Sequence, residues 1–183
     1  MLYFLDTEFH EDGKTIDLIS IGVVAEDGRE FYAISQEAEL HRVNPWVRAN
    51  VLPRLPPYGD SAWMTRKAIA DQLILFTGGV VTAGGVAYSA QDVILPEQAG
   101  PYPPLNDKPK FWGYFCDYDW VVLCQLFGTM MDLPKGWPMW CRDLKQLSVD
   151  VGDPQHPPQT GEHHALADAR WNRDLYAFLM SRR

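Results

Sequence analysis

Residues 1–10 read MLYFLDTEFH, an apolar run that closes on two carboxylates one residue apart. In an extended strand the side chains alternate, so Leu2, Phe4, Asp6 and Glu8 share one face while Tyr3, Leu5 and Thr7 share the other. The buried face therefore ends in two acids. Buried carboxylates side by side push one pKa up unless positive charge lies between them, and a divalent cation supplies that charge most simply. A strand that merely leaves the core at Asp6 would carry the same residues, so the D-x-E pattern needs partners further along the chain.

Outward from this strand, the Asp12-Gly13 and Asp27-Gly28 pairs separate runs rich in β-branched and aromatic residues. Asp-Gly in that setting is a hairpin signal, so the first 35 residues predict a three-stranded antiparallel meander with the acids on its first strand. Residues 36–60 hold Pro45, Pro53, Pro56 and Pro57 and predict loop, with a short helix around Trp46 to Val51. Ile69, Leu73 and Phe76 have helical spacing, which predicts a helix from Ser61 to Phe76 capped by Asp60 or Ser61. Residues 77–109 contain five prolines and five glycines. They predict a long connection, read either as a surface arm that covers the substrate groove or packs on a second copy in a homodimer, or with equal weight as a passive disordered insert. Lys110 to Phe115 reads as a strand and Tyr118 to Met130 as a deeply buried helix. A strand-like stretch at Met139 to Cys141, a small helix over Asp143 to Val149 and a final helix from about His164 to Met180 complete the chain.

The 183 residues, 46% of them hydrophobic, suit a single domain spanning residues 1–183 with a full core. No apolar run approaches the ~20 residues of a spanning helix, so the chain reads as soluble and cytoplasmic, with no membrane partner. Cys116, Cys124 and Cys141 lack C-x-x-C spacing, which argues against a disulfide framework and a thiolate zinc site. The formal charge of −8 disfavours loose electrostatic attachment to nucleic acid, so any such partner has to be held locally.

On the last helix Trp171, Leu175, Phe178 and Leu179 form one apolar stripe, and Asp168 lies on it. An acid facing the core is salt-bridged, hydrogen-bonded or bound to metal. Asp119 stands where a strand gives way to a helix, a place for site residues on α/β scaffolds and equally for an N-cap, and Asp117 could fill either role.

Asp6, Glu8, Asp119 and Asp168, with His163 five residues before the last, resemble the DEDDh 3′-to-5′ exonuclease superfamily. The likeness rests on D-T-E-F at 6–9, Y-D-W-V-V-L at 118–123 and H-H-A-L-A-D-A-R at 163–170. With the opening 33 residues after Leu2 and VRANVLPRLPP at 47–57, the chain is most similar to the actinobacterial polyadenylate-specific 3′-exoribonuclease group. The resemblance implies an α/β, RNase H-like fold, a mixed central sheet flanked by helices. It implies two divalent cations, Mg²⁺ or Mn²⁺, held by Asp6, Glu8, Asp119 and Asp168, with His163 as general base. Thr7 and Phe9, inside the first motif, are assigned to substrate binding, Phe9 as a surface for a terminal base. Helical geometry alone would choose His164 as the base, because i and i+4 share a face. Many relatives carry Asn four residues before the second-motif Asp, where this chain has Phe115.

The implied reaction is hydrolysis of single-stranded RNA from a free 3′ end to 5′-mononucleotides, with adenylate ends as a candidate preference. Two ions about 3.5–4 Å apart would activate water and stabilise the departing oxygen, and hard oxygen ligands suit Mg²⁺ or Mn²⁺. Two alternatives remain at this stage: a proofreading-type exonuclease acting on DNA 3′ ends, and a non-catalytic RNase H-like binding module. Retention of all four acids and the histidine speaks against the second.

Overall fold

The computed structural model describes residues 1–82, 85–87 and 108–183. In chain order the strands are β1 (Leu2–Glu11), β2 (Ile16–Ala25), β3 (Glu30–Ser35), β4 (Trp63–Met64), β5 (Val80–Thr82), β6 (Gly85–Ala87), β7 (Lys110–Gly113) and β8 (Arg142–Asp143). The helices are α1 (Pro45–Asn50), α2 (Arg66–Phe76), α3 (Asp117–Gln125), α4 (Leu144–Asp150) and α5 (Ala165–Met180), with 3-10 turns at Leu52–Arg54 and Met130–Asp132. Six strands form one mixed sheet in the order β4-β3-β2-β1-β7-β8, and β5 pairs with β6 alone.

The meander read from the Asp-Gly pairs is present: β1, β2 and β3 pair antiparallel. At the first turn the Asp12 carboxylate accepts from the backbone N–H groups of Lys14 and Thr15, at 2.9 and 2.7 Å. At the second, Gly28 takes φ of +90°, a conformation that costs a residue with a Cβ. β7 then pairs in parallel with the other side of β1, and β8 in parallel with β7 through a crossover that carries α3.

This placement makes β1 central, and both of its faces are covered. Tyr3 and Leu5 belong to the larger core, with Leu73, Phe76, Phe111, Leu123 and Trp137. Phe4 points the other way, 5.3 Å from the Tyr176 ring of α5. Leu175 and Leu179 of α5 pack there on Leu144 and Leu147 of α4. The alternation of β1 thus sorts two buried faces, where the sequence alone suggested one. Its acids stand on the α5 side.

α5 can approach the sheet because β2 has a glycine beneath it. A Cβ on Gly22 would lie 2.4 Å from the backbone carbon of Ala165 and the nitrogen of Leu166, so the first turn of α5 rests on bare backbone. Gly22 is the partner of Asp6 in the β1–β2 ladder. Two turns further, the Asn172 amide donates to the Leu5 carbonyl at 2.8 Å, fixing the helix to the residue before Asp6.

Several expected boundaries move. α2 begins at Arg66 with Thr65 as its cap, not at Asp60 or Ser61, because residues 63 and 64 leave the loop to pair with β3. β7 ends at Gly113, where a Cβ would strike Cys116 at 2.6 Å and the chain must turn. α3 ends at Gln125 rather than Met130 and is two-sided: Tyr118 and Val121 are exposed while Trp120 and Leu123 are buried. The strand expected at Met139 to Cys141 falls at Arg142 and Asp143, and Asp143 caps α4. Most of the Gly/Pro-rich connection at 77–109, and with it the expected arm, lies outside the described residues.

Candidate active site

Asp6 and Glu8 project from one face of β1 toward the first turn of α5, where Asp168 is 7% exposed. One oxygen from each of the three carboxylates lies within 4.8 Å of the others. They come from sequence positions more than 150 residues apart, and the packing of Ala165 on Gly22 closes that separation. Asp168 is not salt-bridged among the described residues; its oxygens accept from the Gln159 amide at 2.8 Å and the His163 backbone N–H at 2.9 Å.

Asp119 arrives from the other side of β1. The β1–β7 ladder stops at Phe4 and Trp112, so the β1 backbone beyond it has no strand partner on that edge. The first turn of α3 fills the gap. Asp119 Oδ1 accepts from the Thr7 backbone N–H at 2.8 Å and from the Thr7 hydroxyl at 2.5 Å. Asp119 is the third residue of α3 rather than its cap and is 6% exposed, whereas Asp117 is exposed. Thr7 is buried with both donors committed to Asp119. Phe9 is half-buried and stacks on the exposed Tyr118 ring at 5.8 Å.

Electrostatics show how unusual the cluster is for a protein interior. Burial, then Asp119, Asp168 and Glu8, hold Asp6 well above the ordinary carboxylate range. Glu8 is pushed up to about 8 by burial, Asp168 and Asp119, against an opposing pull from Arg54. Asp119 rises to about 6 through burial, even though the Thr7 hydrogen bonds oppose the shift. Asp168 is raised by burial against the donors from Gln159 and His163. Carboxylates so crowded either retain protons or share a cation. An all-oxygen donor set of this kind fits a hard divalent ion.

The two adjacent histidines occupy different settings. His163 lies in the loop ahead of α5 with φ of +67°, and its ring meets Trp46 edge-on, 4.8 Å between centroids. His164 occupies the cap position of α5 and stacks on the Tyr32 ring at 4.6 Å. Its Nδ1 is buried with no hydrogen-bond partner among the described residues, and Ser20 faces Glu8 across the ladder.

The sequence profile of the 3′-5′ exoribonuclease Rv2179c-like domain matches residues 1–180. The chain belongs to this family. It is 43% identical over 171 residues to the 3′-5′ exoribonuclease Rv2179c of Mycobacterium tuberculosis strain ATCC 25618 / H37Rv, an alignment covering 93% of this chain and 88% of that protein. The 3′-5′ exoribonuclease MT2234.1 of strain CDC 1551 / Oshkosh matches with the same identity and coverage. The mixed sheet flanked by helices is the α/β, RNase H-like architecture expected of such a domain. Among the described residues, no helix is long and apolar enough to cross a membrane.

Around the cluster of this Rv2179c-like domain lie further residues that the sequence does not mark. Gln159 comes from a stretch without periodicity, so nothing in its neighbourhood marks it as a partner of Asp168. Trp46 is one of seven tryptophans, and nothing in its spacing singles it out. Gly22 sits in an apolar strand where its missing side chain is the signal, legible only once a crossing helix is known. Arg54 belongs to no chemical motif, and its pull on Glu8 arises only in the folded protein.

Proposed function

We propose that this protein is a metal-dependent 3′-to-5′ exoribonuclease that removes 5′-mononucleotides from the free 3′ end of single-stranded RNA. The observation that carries the reading is the convergence of the Asp6, Glu8 and Asp168 carboxylates within 4.8 Å in a largely buried setting. Family membership supplies the direction and the substrate class.

Asp6, Glu8 and Asp168 would hold divalent cations, with Asp119 beside them on the α3 side. When bound, Mg²⁺ or Mn²⁺ would make water nucleophilic near neutral pH and offset charge on the departing oxygen. His163 takes the proton from the attacking water. Water oxygen adds to phosphorus, the bond to the upstream 3′ oxygen breaks, and that oxygen acquires a proton from solvent. Gln159 and the His163 backbone orient Asp168, Thr7 orients Asp119, and the Trp46 ring limits where the His163 imidazole can swing. Phe9 and Tyr118 present aromatic surface at the edge of the site for the terminal base.

The test follows single-nucleotide release from 3′-labelled RNA with Mn²⁺ or Mg²⁺, against circular RNA, matched DNA and the four homopolymers. Release of 5′-mononucleotides from linear RNA alone is expected, with Asp6→Asn, Glu8→Gln, Asp119→Asn and Asp168→Asn each lowering turnover by orders of magnitude. Efficient cutting of circles would replace the reading with an endonuclease, and equal turnover of DNA would remove the RNA selectivity.

A further inference from the structure

Trp46, Asn50 and Arg54 recur every four residues along α1 and the 3-10 turn that follows. Hydrogen bonds join them into a ladder: the Asn50 amide donates to the Trp46 carbonyl, and Arg54 Nε donates to the Asn50 carbonyl, both at 2.9 Å. The other side of this segment, Val43, Val47 and Val51, is buried against Ile19. Ile19 is the residue left unpaired where the β1–β2 register shifts between Glu8 and Phe9. A bulge of this kind re-aims a side chain, and here it gives the segment an anchor beside Glu8.

The outward ladder therefore starts at the loop that carries His163. Trp46 at one end is 54% exposed and meets the His163 ring. Arg54 at the other end is exposed. Among the described residues, Arg54 has no ion pair and the only hydrogen bond of its guanidinium is the one from Nε, so both terminal nitrogens remain available. A guanidinium fork matches phosphate oxygens two at a time. In a chain of net charge −8, a polyanion gains little from the overall field and needs such a local cation.

We infer that the Trp46–Asn50–Arg54 face is the entry track for the substrate strand, with Arg54 holding a backbone phosphodiester upstream of the scissile bond. The inference rests on the carboxylate cluster being the hydrolytic site. Asn50 acts through its carbonyl, which fixes the Arg54 head, and is a positioning residue.

Arg54→Ala and Arg54→Lys proteins test it on a ten-nucleotide single-stranded RNA and on a dinucleotide, which has a scissile phosphate but none upstream. The expected result for Arg54→Ala is a KM for the longer RNA raised about tenfold, equivalent to ~1.4 kcal/mol, with the loss in kcat/KM several times smaller on the dinucleotide. The slope of log affinity against log salt, read by fluorescence anisotropy, should fall by about 0.7, the value for one phosphate contact on a single strand. Arg54→Lys should restore that slope while recovering only part of the affinity. Equal losses on both substrates, or weaker Mn²⁺ binding by calorimetry, would overturn the inference and make Arg54 a partner of Glu8. An unchanged salt slope would overturn it as well. If the unaltered protein hydrolyses neither substrate, the proposed function fails, and the anisotropy slope still judges the track on its own.

Discussion

Thr7 gives both its backbone N–H and its hydroxyl to a single oxygen of Asp119, at 2.8 and 2.5 Å. The pair joins the central strand to the helix that delivers the fourth acid, across 112 residues of sequence. It exists because the β7 ladder stops short of Thr7, leaving a main-chain donor that a carboxylate can take. Thr7→Val keeps the shape and removes the hydroxyl. It should cost about 1–3 kcal/mol, the range for depriving a buried charged group of a hydrogen bond, and lower kcat more than KM. Thr7→Ser should retain most of both. Urea denaturation and steady-state kinetics on the same preparations check this.

Stability and metal binding should respond to pH in opposite senses. Glu8 and Asp119 titrate near 8 and 6 in the folded protein, above their unfolded values, so the native state binds more protons than the unfolded chain in this window. Stability contributed by these raised pKa values is fully present below the unfolded carboxylate range and is lost as pH rises through about 6 and then about 8. The metal-free protein should therefore melt at lower temperature at pH 9 than at pH 6. Mn²⁺ binding, which requires deprotonated ligands, should tighten over the same interval. Melting curves with chelator and with Mn²⁺ at both pH values measure the crossing effects.

Gly22→Ala tests the seat of α5. The added methyl would lie 2.4 Å from the Ala165 backbone, so the helix must lift away from β2 and carry Asp168 with it. A loss of about 1–3 kcal/mol is expected for such overpacking, together with a larger loss of turnover than Gly28→Ala shows. Gly28 is the control because a Cβ there meets nothing within 4 Å, so its φ of +90° is the main source of cost. Thermal denaturation and turnover of the two variants separate the effects.

His163→Ala should reduce kcat by about 10²–10⁴, the range for losing a general base. His164→Ala should cost much less, because His164 stacks on Tyr32 and lies at the cap of α5. Single-turnover rates of the two proteins decide which imidazole takes the proton.

Local chemistry made much of this domain readable from the chain alone. The meander follows from alternating apolar residues broken by Asp12-Gly13 and Asp27-Gly28, signals that act within a few residues. The helical stripe of Trp171, Leu175 and Leu179 turned Asp168 inward before any partner was known. Motif order placed His163 in the loop ahead of α5, where helical spacing by itself favoured His164.

Other features were decided only by tertiary structure, because they depend on where distant backbones meet. Thr65 rather than Ser61 caps α2 because β3 draws residues 63 and 64 into the sheet, a pairing no local propensity encodes. The two-sided burial of β1 depends on β7 joining its open edge and on α5 crossing the opposite face. Asp119 was indistinguishable from Asp117 until the end of the β7 ladder exposed the Thr7 N–H that selects it. Gln159, Trp46 and Arg54 border the acids through loop and short-helix packing, whose residues carry no period. Gly22 is the extreme case: its part in the site is the absence of a side chain, which acquires meaning only when Ala165 lies against it.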